Sequence, residues 1–323
     1  MFIPGDEGQA TVKVNSNTGE IEKLDYATMY LTFEAIESGA FKFSGITSAY
    51  TLSYSLDDGT TWTSLAHDTD TPTINADNKI MWKGNLTPQT STGIGRFVAT
   101  GKFDAYGNIM SLLYGDNFAG QISLEDKEFD FTYLFYNNTK IVNTQNLILP
   151  LASGHYYRMF EGCTSLITAP ALPATTLGPM CYSSMFNCCT SLTTAPALPA
   201  TTLSDSCYSN MFQGCTSLTT APALPATTLT WYCYGEMFDG CTSLTTAPEL
   251  SVTTMGVMSC VYMFQNCTNL NYIKMLATDV SASGALDAWV EGVSPTGTFV
   301  KAAGVTIPTG GSGIPDGWTV VEV

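Results

Sequence analysis

The feature that most constrains the fold of this chain is a run of near-identical segments, each 26 residues long. Residues 190–203 and 216–229 both read TSLTTAPALPATTL. The dipeptide Met-Phe recurs at the same interval, at 159/160, 185/186, 211/212, 237/238 and 263/264. A fixed period in this range is typical of repeat architectures, in which each unit buries its apolar face by stacking on the next unit.

Because the repeat keeps the same residue types in phase, each of them is predicted to stack on its own copy. A weaker copy at 133–160 carries Leu134-Phe135 in the Met-Phe slot, which brings the prediction to about six coils. Equivalent positions in neighbouring coils are expected about 4.8 Å apart. The predicted structural columns are Phe160, Phe186, Phe212, Phe238 and Phe264, and Cys163, Cys189, Cys215, Cys241 and Cys267.

Within one coil, the segment CYSNMFQGC at 207–215 carries apolar residues at i, i+1, i+4, i+5 and i+8. This pattern predicts the stripe of a short helix. Gly214 is predicted to end that helix in the left-handed conformation, which Gly and Asn adopt readily. Cys188 occupies the same phase one repeat earlier, so we expect backbone strain there.

The segment after the helical stripe, SLTTAPALP, is too short for a helix and is rich in β-branched residues. It predicts a short extended segment. Proline has no N–H to donate, so the hydrogen-bonded ladder between coils should be interrupted once in every coil. The prolines at this phase are Pro170, Pro196, Pro222 and Pro248.

The repeat unit resembles the leucine-rich repeats of BspA-like bacterial surface proteins. The match is carried by Phe212, by the Gly-Cys-Thr-Ser-Leu run at 214–218 and by Leu224-Pro225. Met211 departs from the alanine of that family, and Pro222 is additional. The resemblance implies an α/β leucine-rich-repeat solenoid and a role in binding or adhesion at a cell or particle surface. No catalysis is implied for the family as a class.

The chain divides into three predicted regions. Residues 1–127 lack cysteine and contain short alternating runs with turn signals between them, which predicts a β-rich, sandwich-like domain whose first 25 residues form an arm. Residues 128–280 form the predicted solenoid. Residues 281–323 are the predicted cap, since the segment at 285–299 breaks the period and is expected to close the open end of the core.

The segment SLDDGTTW at 55–62 fits the Asp-box pattern of sialidase-type propellers. Physically the pattern predicts a hairpin: Asp57 accepts backbone hydrogen bonds, Gly59 adopts a positive φ and Trp62 packs beneath the turn. A sialidase needs three arginines for the substrate carboxylate. The whole chain has two, Arg96 and Arg158, so that activity is excluded.

Charge and composition narrow the function further. With 12 basic and 28 acidic side chains the net charge is −16, which disfavours nucleic acids and anionic membranes as partners. No apolar run approaches the ~20 residues of a membrane helix, so no membrane insertion is predicted. The two histidines, His67 and His155, lack the surroundings of a catalytic triad, and no catalytic motif occurs. We therefore predict no enzyme and no cofactor; a glycan-active enzyme with an unrecognised carboxylate pair is the least favoured alternative.

The ten cysteines are predicted to be buried free thiols. Stacked neighbours point the same way, which does not suit the torsion of a disulfide, and a thiol fills core space as a small apolar group. Cys181, Cys207 and Cys233 form a second column, with His155 at its phase. The two columns are about 12 Å apart along a helix, which is too far for one zinc ion, so no metal site is predicted.

Charged residues are scarce in the predicted solenoid, since residues 151–270 contain one basic and five acidic residues. Most of its surface must therefore be uncharged, and two rows of threonine and tyrosine side chains are the candidate partner-binding residues. Threonine also suits exposed strands, and tyrosine at the edge of a stripe also suits half-buried packing, so a purely structural role remains open for both rows. The two rows are Thr193, Thr194, Thr219, Thr220, Thr245 and Thr246, and Tyr156, Tyr182, Tyr208 and Tyr234.

The sequence thus predicts a non-enzymatic binding or adhesion protein with a protein or glycan partner on a cell surface. The expected location is extracellular or at the cell surface, although the first residues lack the basic and apolar regions of a signal peptide. The alternative is a phage virion fibre or decoration protein, because virions are released by lysis and need no signal peptide.

Overall fold

A computed structural model describes residues 2–3, 11–14, 21–44, 51–66, 68–86, 95–121, 123–124, 131–151 and 156–323. His67 and His155 lie outside the described residues. The strands are β1 (Phe2–Ile3), β2 (Thr11–Val14), β3 (Ile21–Leu24), β4 (Leu31–Ala35), β5 (Phe41–Ser44), β6 (Leu52–Ser55), β7 (Thr63–Leu65), β8 (Lys79–Gly84), β9 (Arg96–Ala99), β10 (Phe103–Asn108), β11 (Ile141–Asn143), β12 (Leu147–Ile148), β13 (Tyr272–Met275), β14 (Thr298–Lys301) and β15 (Thr319–Glu322). One α-helix, α1 (Ser111–Tyr114), and two 3₁₀ turns, at Tyr26–Thr28 and Gly115–Asn117, complete the regular structure of these residues.

The N-terminal part is built of β-sheets around an aromatic core. A seven-stranded sheet has the order β11-β10-β4-β8-β6-β7, with β12 also paired to β10, while β5 and β9 form a separate antiparallel pair. Strands β1, β2 and β3 form a three-stranded antiparallel sheet. Phe33 on β4 lies at the centre of the core, with its ring centroid 4.8 Å from that of Phe97 and 4.7 Å from that of Phe103.

The Asp-box hairpin has the predicted local chemistry. The Asp57 carboxylate accepts a hydrogen bond from the Thr61 N–H at 2.8 Å, and Gly59 has a φ of +83°. The indole N–H of Trp62 donates to the Gly59 carbonyl at 3.1 Å. Hydrogen bonds from Thr61 and Ser55 lower the pKa of Asp57 to about 2. The prediction of a structural hairpin is confirmed.

The prediction of an α/β leucine-rich-repeat solenoid is wrong. Strands account for 24% of the structure and helices for 4%, so the helical half of the predicted repeat is not formed. The only α-helix of the described residues is α1, which precedes the repeats. The segment that was predicted to be helical in each repeat is instead a ribbon of consecutive β-turns.

The ribbon of the second full repeat begins with a turn at 178–181, which has proline at its second position and Met180 at its third with a φ of +55°. This is the signature of a type II turn. Ser184 and Cys188 also have positive φ, so every fourth residue of the ribbon is left-handed. The strain predicted at Cys188 is confirmed by its φ of +59°.

Backbone hydrogen bonds of the ribbon alternate between two kinds of partner. The N–H groups of Ser183 and Met185 donate three residues back, to Met180 and Tyr182, at 3.1 Å each. The N–H of Ser184 donates to the next repeat, to the Ser209 carbonyl at 2.8 Å. A helix would satisfy all of these groups internally; the ribbon instead uses half of them to bind the adjacent repeat.

The aromatic columns confirm that equivalent residues lie on one another. Consecutive rings from Phe135 through Phe160, Phe186, Phe212 and Phe238 to Phe264 have centroids 5.3 to 5.8 Å apart and are nearly parallel. This spacing exceeds the expected 4.8 Å. Phe135 therefore occupies the phenylalanine position of the weaker first copy, as predicted. Its ring also stacks on that of Phe97 in the N-terminal core, with the centroids 5.9 Å apart.

The repeat continues further than the sequence pattern indicated. Gly284, Ala288 and Gly292 have positive φ and lie 26 residues after Met258, Tyr262 and Asn266, which also do. Trp289 lies at the phase of Met263, and its ring packs over the end of the phenylalanine column, 5.9 Å from that of Phe264 and tilted by 58°. The expectation that 285–299 breaks the period is therefore wrong for the backbone as far as residue 292. Parallel strands β13, β14 and β15 then complete the C-terminal region.

Candidate functional site

The six predicted threonines lie where the sequence placed them, on the surface. Thr193, Thr194, Thr219, Thr220, Thr245 and Thr246 are all exposed. Thr194 and Thr220 form a parallel bridge, and the Thr219 hydroxyl donates to the Thr193 carbonyl at 3.2 Å. Because most contacts along these segments are isolated bridges, the predicted interruption of the ladder is confirmed.

A groove of about 530 Å³, the proline groove, lies beside these threonines. It runs between two neighbouring repeats and has no charged residue in its lining. It is lined by Gln145, residues 167–173, residues 193–197 and Pro199. Thr193 and Thr194 thus contribute to a concave surface rather than to a flat sheet face.

The proline groove is lined by backbone that prolines restrain. Among the lining residues, the N–H of Ala197 makes no backbone hydrogen bond. Proline fixes its own φ, and the residue before it is held extended, so Pro196 and Pro199 keep this segment rigid. Sequence reasoning treated the prolines as interruptions only; the recurring Pro-x-x-Pro spacing was the signal that could have identified them as a surface.

The tyrosine row is not on the surface, so the prediction that it contacts a partner is wrong. Tyr156, Tyr182, Tyr208 and Tyr234 have exposed fractions of 0, 2, 1 and 1%. Their rings stack at 5.8 to 6.1 Å, parallel to the phenylalanine column. The ribbon buries its apolar side chains as pairs of adjacent residues, and each tyrosine is one member of such a pair.

The hydroxyls of this buried row differ in a testable way. The Tyr156 hydroxyl donates to the Pro150 carbonyl, whereas that of Tyr208 is buried without a hydrogen-bond partner. Tyr208→Phe is therefore expected to raise the free energy of unfolding by about 1 kcal/mol, because it removes an unsatisfied buried group. Tyr156→Phe should lower it by about 1 kcal/mol. Urea unfolding of both variants measures this difference, and equal effects would contradict it.

The cysteine column is a set of buried thiols with a shared partner. The thiols of Cys163, Cys189, Cys215, Cys241 and Cys267 each donate to a phenylalanine carbonyl of the preceding repeat, with S···O distances of 3.0 to 3.1 Å. All ten cysteines are free, and nine are buried. Burial raises the pKa of the Cys215 thiol. The predicted role as buried free thiols is confirmed for every cysteine except the exposed Cys188.

Two other kinds of site, for a metal ion and for a bilayer, have no counterpart in the described part of the chain. The described residues contain no group of three or more His, Cys, Asp or Glu side chains able to hold a metal ion. Within those ranges no helix has both the length and the apolar character to cross a bilayer. No protein-family model, curated protein or solved structure matches this chain.

Proposed function

We propose that this chain is a non-enzymatic binding protein that presents the threonine columns and the proline groove to a protein or glycan partner on a cell surface. The observation that supports the proposal is a continuous surface of exposed hydroxyls beside an uncharged concave groove. Resemblance to adhesive surface proteins supplied the hypothesis; the virion alternative stays a prediction.

The surface suits recognition because it is rigid before a partner arrives. The first two threonine pairs are joined by the Thr219 N–H to the Thr193 carbonyl at 3.1 Å, and the third is joined to the next repeat by the Asn271 N–H to the Thr245 carbonyl at 3.0 Å. Prolines restrict the adjacent backbone, so little conformational entropy is lost on binding. The threonine hydroxyls and the N–H group of Ala197 offer hydrogen bonds to an uncharged, polar partner.

The reactive side chains of the repeats support binding rather than catalysis. A cysteine nucleophile acts as the thiolate, which needs a lowered pKa and access to solvent. Burial instead raises the pKa of Cys163, Cys215 and Cys260. The exposed Cys188 also has a raised pKa, caused by partial burial and by the nearby Glu161 carboxylate.

The proposal is tested by the double variant Thr194→Arg with Thr220→Arg, assayed on printed glycan arrays and on intact bacterial and epithelial cells. The first substitution adds a bulky charge to the groove lining and the second adds one to the adjacent threonine column, so binding is expected to weaken about tenfold or more. The matched control, Thr202→Arg with Thr228→Arg, adds the same charge at exposed threonines outside both the groove lining and the threonine columns. Equal binding by both variants, or no binding by the unmodified protein, would contradict the proposal.

A further inference from the structure

An exposed patch of aromatic and apolar side chains lies on the turn ribbon of two neighbouring repeats. The Trp231 patch consists of Trp231, Tyr232, Val257, Met258 and Tyr262. Trp231 is 49% exposed and its ring lies 5.5 Å from that of Tyr232. Val257 and Met258 occupy the same two phases in the next repeat, with 47 and 36% exposure. Large apolar side chains grouped on a surface mark an interaction site more often than isolated ones do.

Carboxylates border the Trp231 patch, and no cation of the repeats accompanies them. One Asp205 oxygen accepts a hydrogen bond from the Trp231 N–H at 3.2 Å, and the Glu236 carboxylate accepts one from the Tyr232 hydroxyl. The sequence has no Lys or Arg between Arg158 and Lys274. Lys274 is engaged elsewhere, by Glu249 at 2.9 Å. The patch therefore combines aromatic faces with uncompensated negative charge.

At two other places in the chain, an aromatic ring and a nearby carboxylate both contact a Lys or Arg of the chain itself. The Lys83 ammonium lies 4.2 Å from the Trp62 ring centroid and 2.7 Å from an Asp116 oxygen. An ammonium or guanidinium is attracted to an aromatic face and to a carboxylate at once. A second example is formed by Arg158 with Tyr157 at 5.0 Å and Glu161 at 3.2 Å.

We propose that the Trp231 patch binds an arginine side chain of a basic segment in a partner protein. The flat guanidinium stacks on the Trp231 ring, as arginine does on aromatic faces, and its N–H groups reach the free oxygen of Asp205. A cationic partner is favoured by charge complementarity, because the whole chain carries a net charge of −16. This site is separate from the proline groove and needs a partner of different chemistry.

The test measures binding of a peptide with fluorescein on its N-terminal amine, fluoresceinyl-Gly-Arg-Gly-Arg-Gly-amide, by fluorescence anisotropy at physiological ionic strength. Trp231→Val installs the residue type that the next repeat carries at this phase, so the fold is retained. It is expected to weaken binding roughly threefold to thirtyfold, the range for an aromatic–cation contact. Asp205→Asn should also weaken binding, and the same peptide with citrulline for arginine should bind at least about tenfold more weakly.

The controls separate this site from general attraction between opposite charges. Asp316→Asn removes an exposed carboxylate remote in sequence from the patch and should leave binding unchanged. Ile36→Ala removes an exposed apolar side chain from the N-terminal part of the chain and should also have no effect. Unchanged binding by Trp231→Val, or an equal loss in Asp316→Asn, would overturn the proposal. So would patch-dependent binding of a neutral oligosaccharide without binding of the arginine peptide.

Discussion

Phe212→Ala is expected to lower the free energy of unfolding by about 3 to 5 kcal/mol, the cost of truncating a fully buried phenylalanine. Phe212 is 0% exposed and lies in the middle of the column, 5.8 Å from the ring of Phe186 and 5.6 Å from that of Phe238. Its removal leaves a cavity between two repeats, and each repeat depends on its neighbours for burial. Urea unfolding followed by circular dichroism measures the loss.

The matched control for Phe212→Ala is Met180→Ala, which removes a large apolar side chain that is 41% exposed. Surface substitutions of this kind change the stability by about 0.5 kcal/mol or less. A loss below about 1.5 kcal/mol for Phe212→Ala would mean that the stacked column is not the main source of stability in the repeats.

The sequence predicted the stacking of the repeats better than it predicted their backbone. Identical residues at a fixed interval can share a core only by lying over one another, so the phenylalanine and cysteine columns followed from spacing alone. The backbone did not, because apolar residues at i, i+4 and i+8 fit a ribbon of turns with a period of four as well as they fit a helix. The turn at Gly178-Pro179 was the local signal that favoured turns.

Exposure within the candidate site was predictable for threonine but not for tyrosine. Thr193 and Thr194 follow the buried Leu192 and precede proline, a context that favours a surface strand. Tyr208 lies directly beside Cys207, and both side chains face the core because the ribbon turns its apolar face inward two residues at a time. A helical wheel places Tyr208 at the edge of the stripe, so the wrong backbone produced the wrong exposure.

The hydrogen bonds of a local turn in the N-terminal part could be predicted from the sequence, whereas the arrangement of its strands could not. The Asp57 hairpin depends on residues within the stretch 55–62, so its hydrogen bonds could be predicted from the sequence alone. The pairing of β10 with β4 on one side and with β11 on the other joins residues far apart in the chain. Alternation of apolar residues predicts strands but not their partners.

A pair of substitutions at Ser184 distinguishes the turn ribbon from a helix by the sign of a stability difference. Ser184 has a φ of +54° and is buried. Glycine adopts this conformation freely, whereas any residue with a Cβ pays a steric penalty, so Ser184→Gly is expected to be more stable than Ser184→Ala by about 1 kcal/mol. In a helix the order would be reversed, with alanine favoured by about 1 kcal/mol. Both variants lose the same hydroxyl, so its contribution cancels in the comparison.

The neighbouring Ser183 provides the matched control for this pair. Ser183 is equally buried but has no positive φ, and its hydroxyl lies 2.9 Å from that of Ser209. Here Ser183→Ala is expected to be more stable than Ser183→Gly by about 0.5 to 1 kcal/mol, because glycine loses more conformational entropy on folding. Opposite signs at two adjacent serines, measured by urea unfolding, require a backbone that is left-handed at 184 and not at 183. The same sign at both positions would contradict the ribbon.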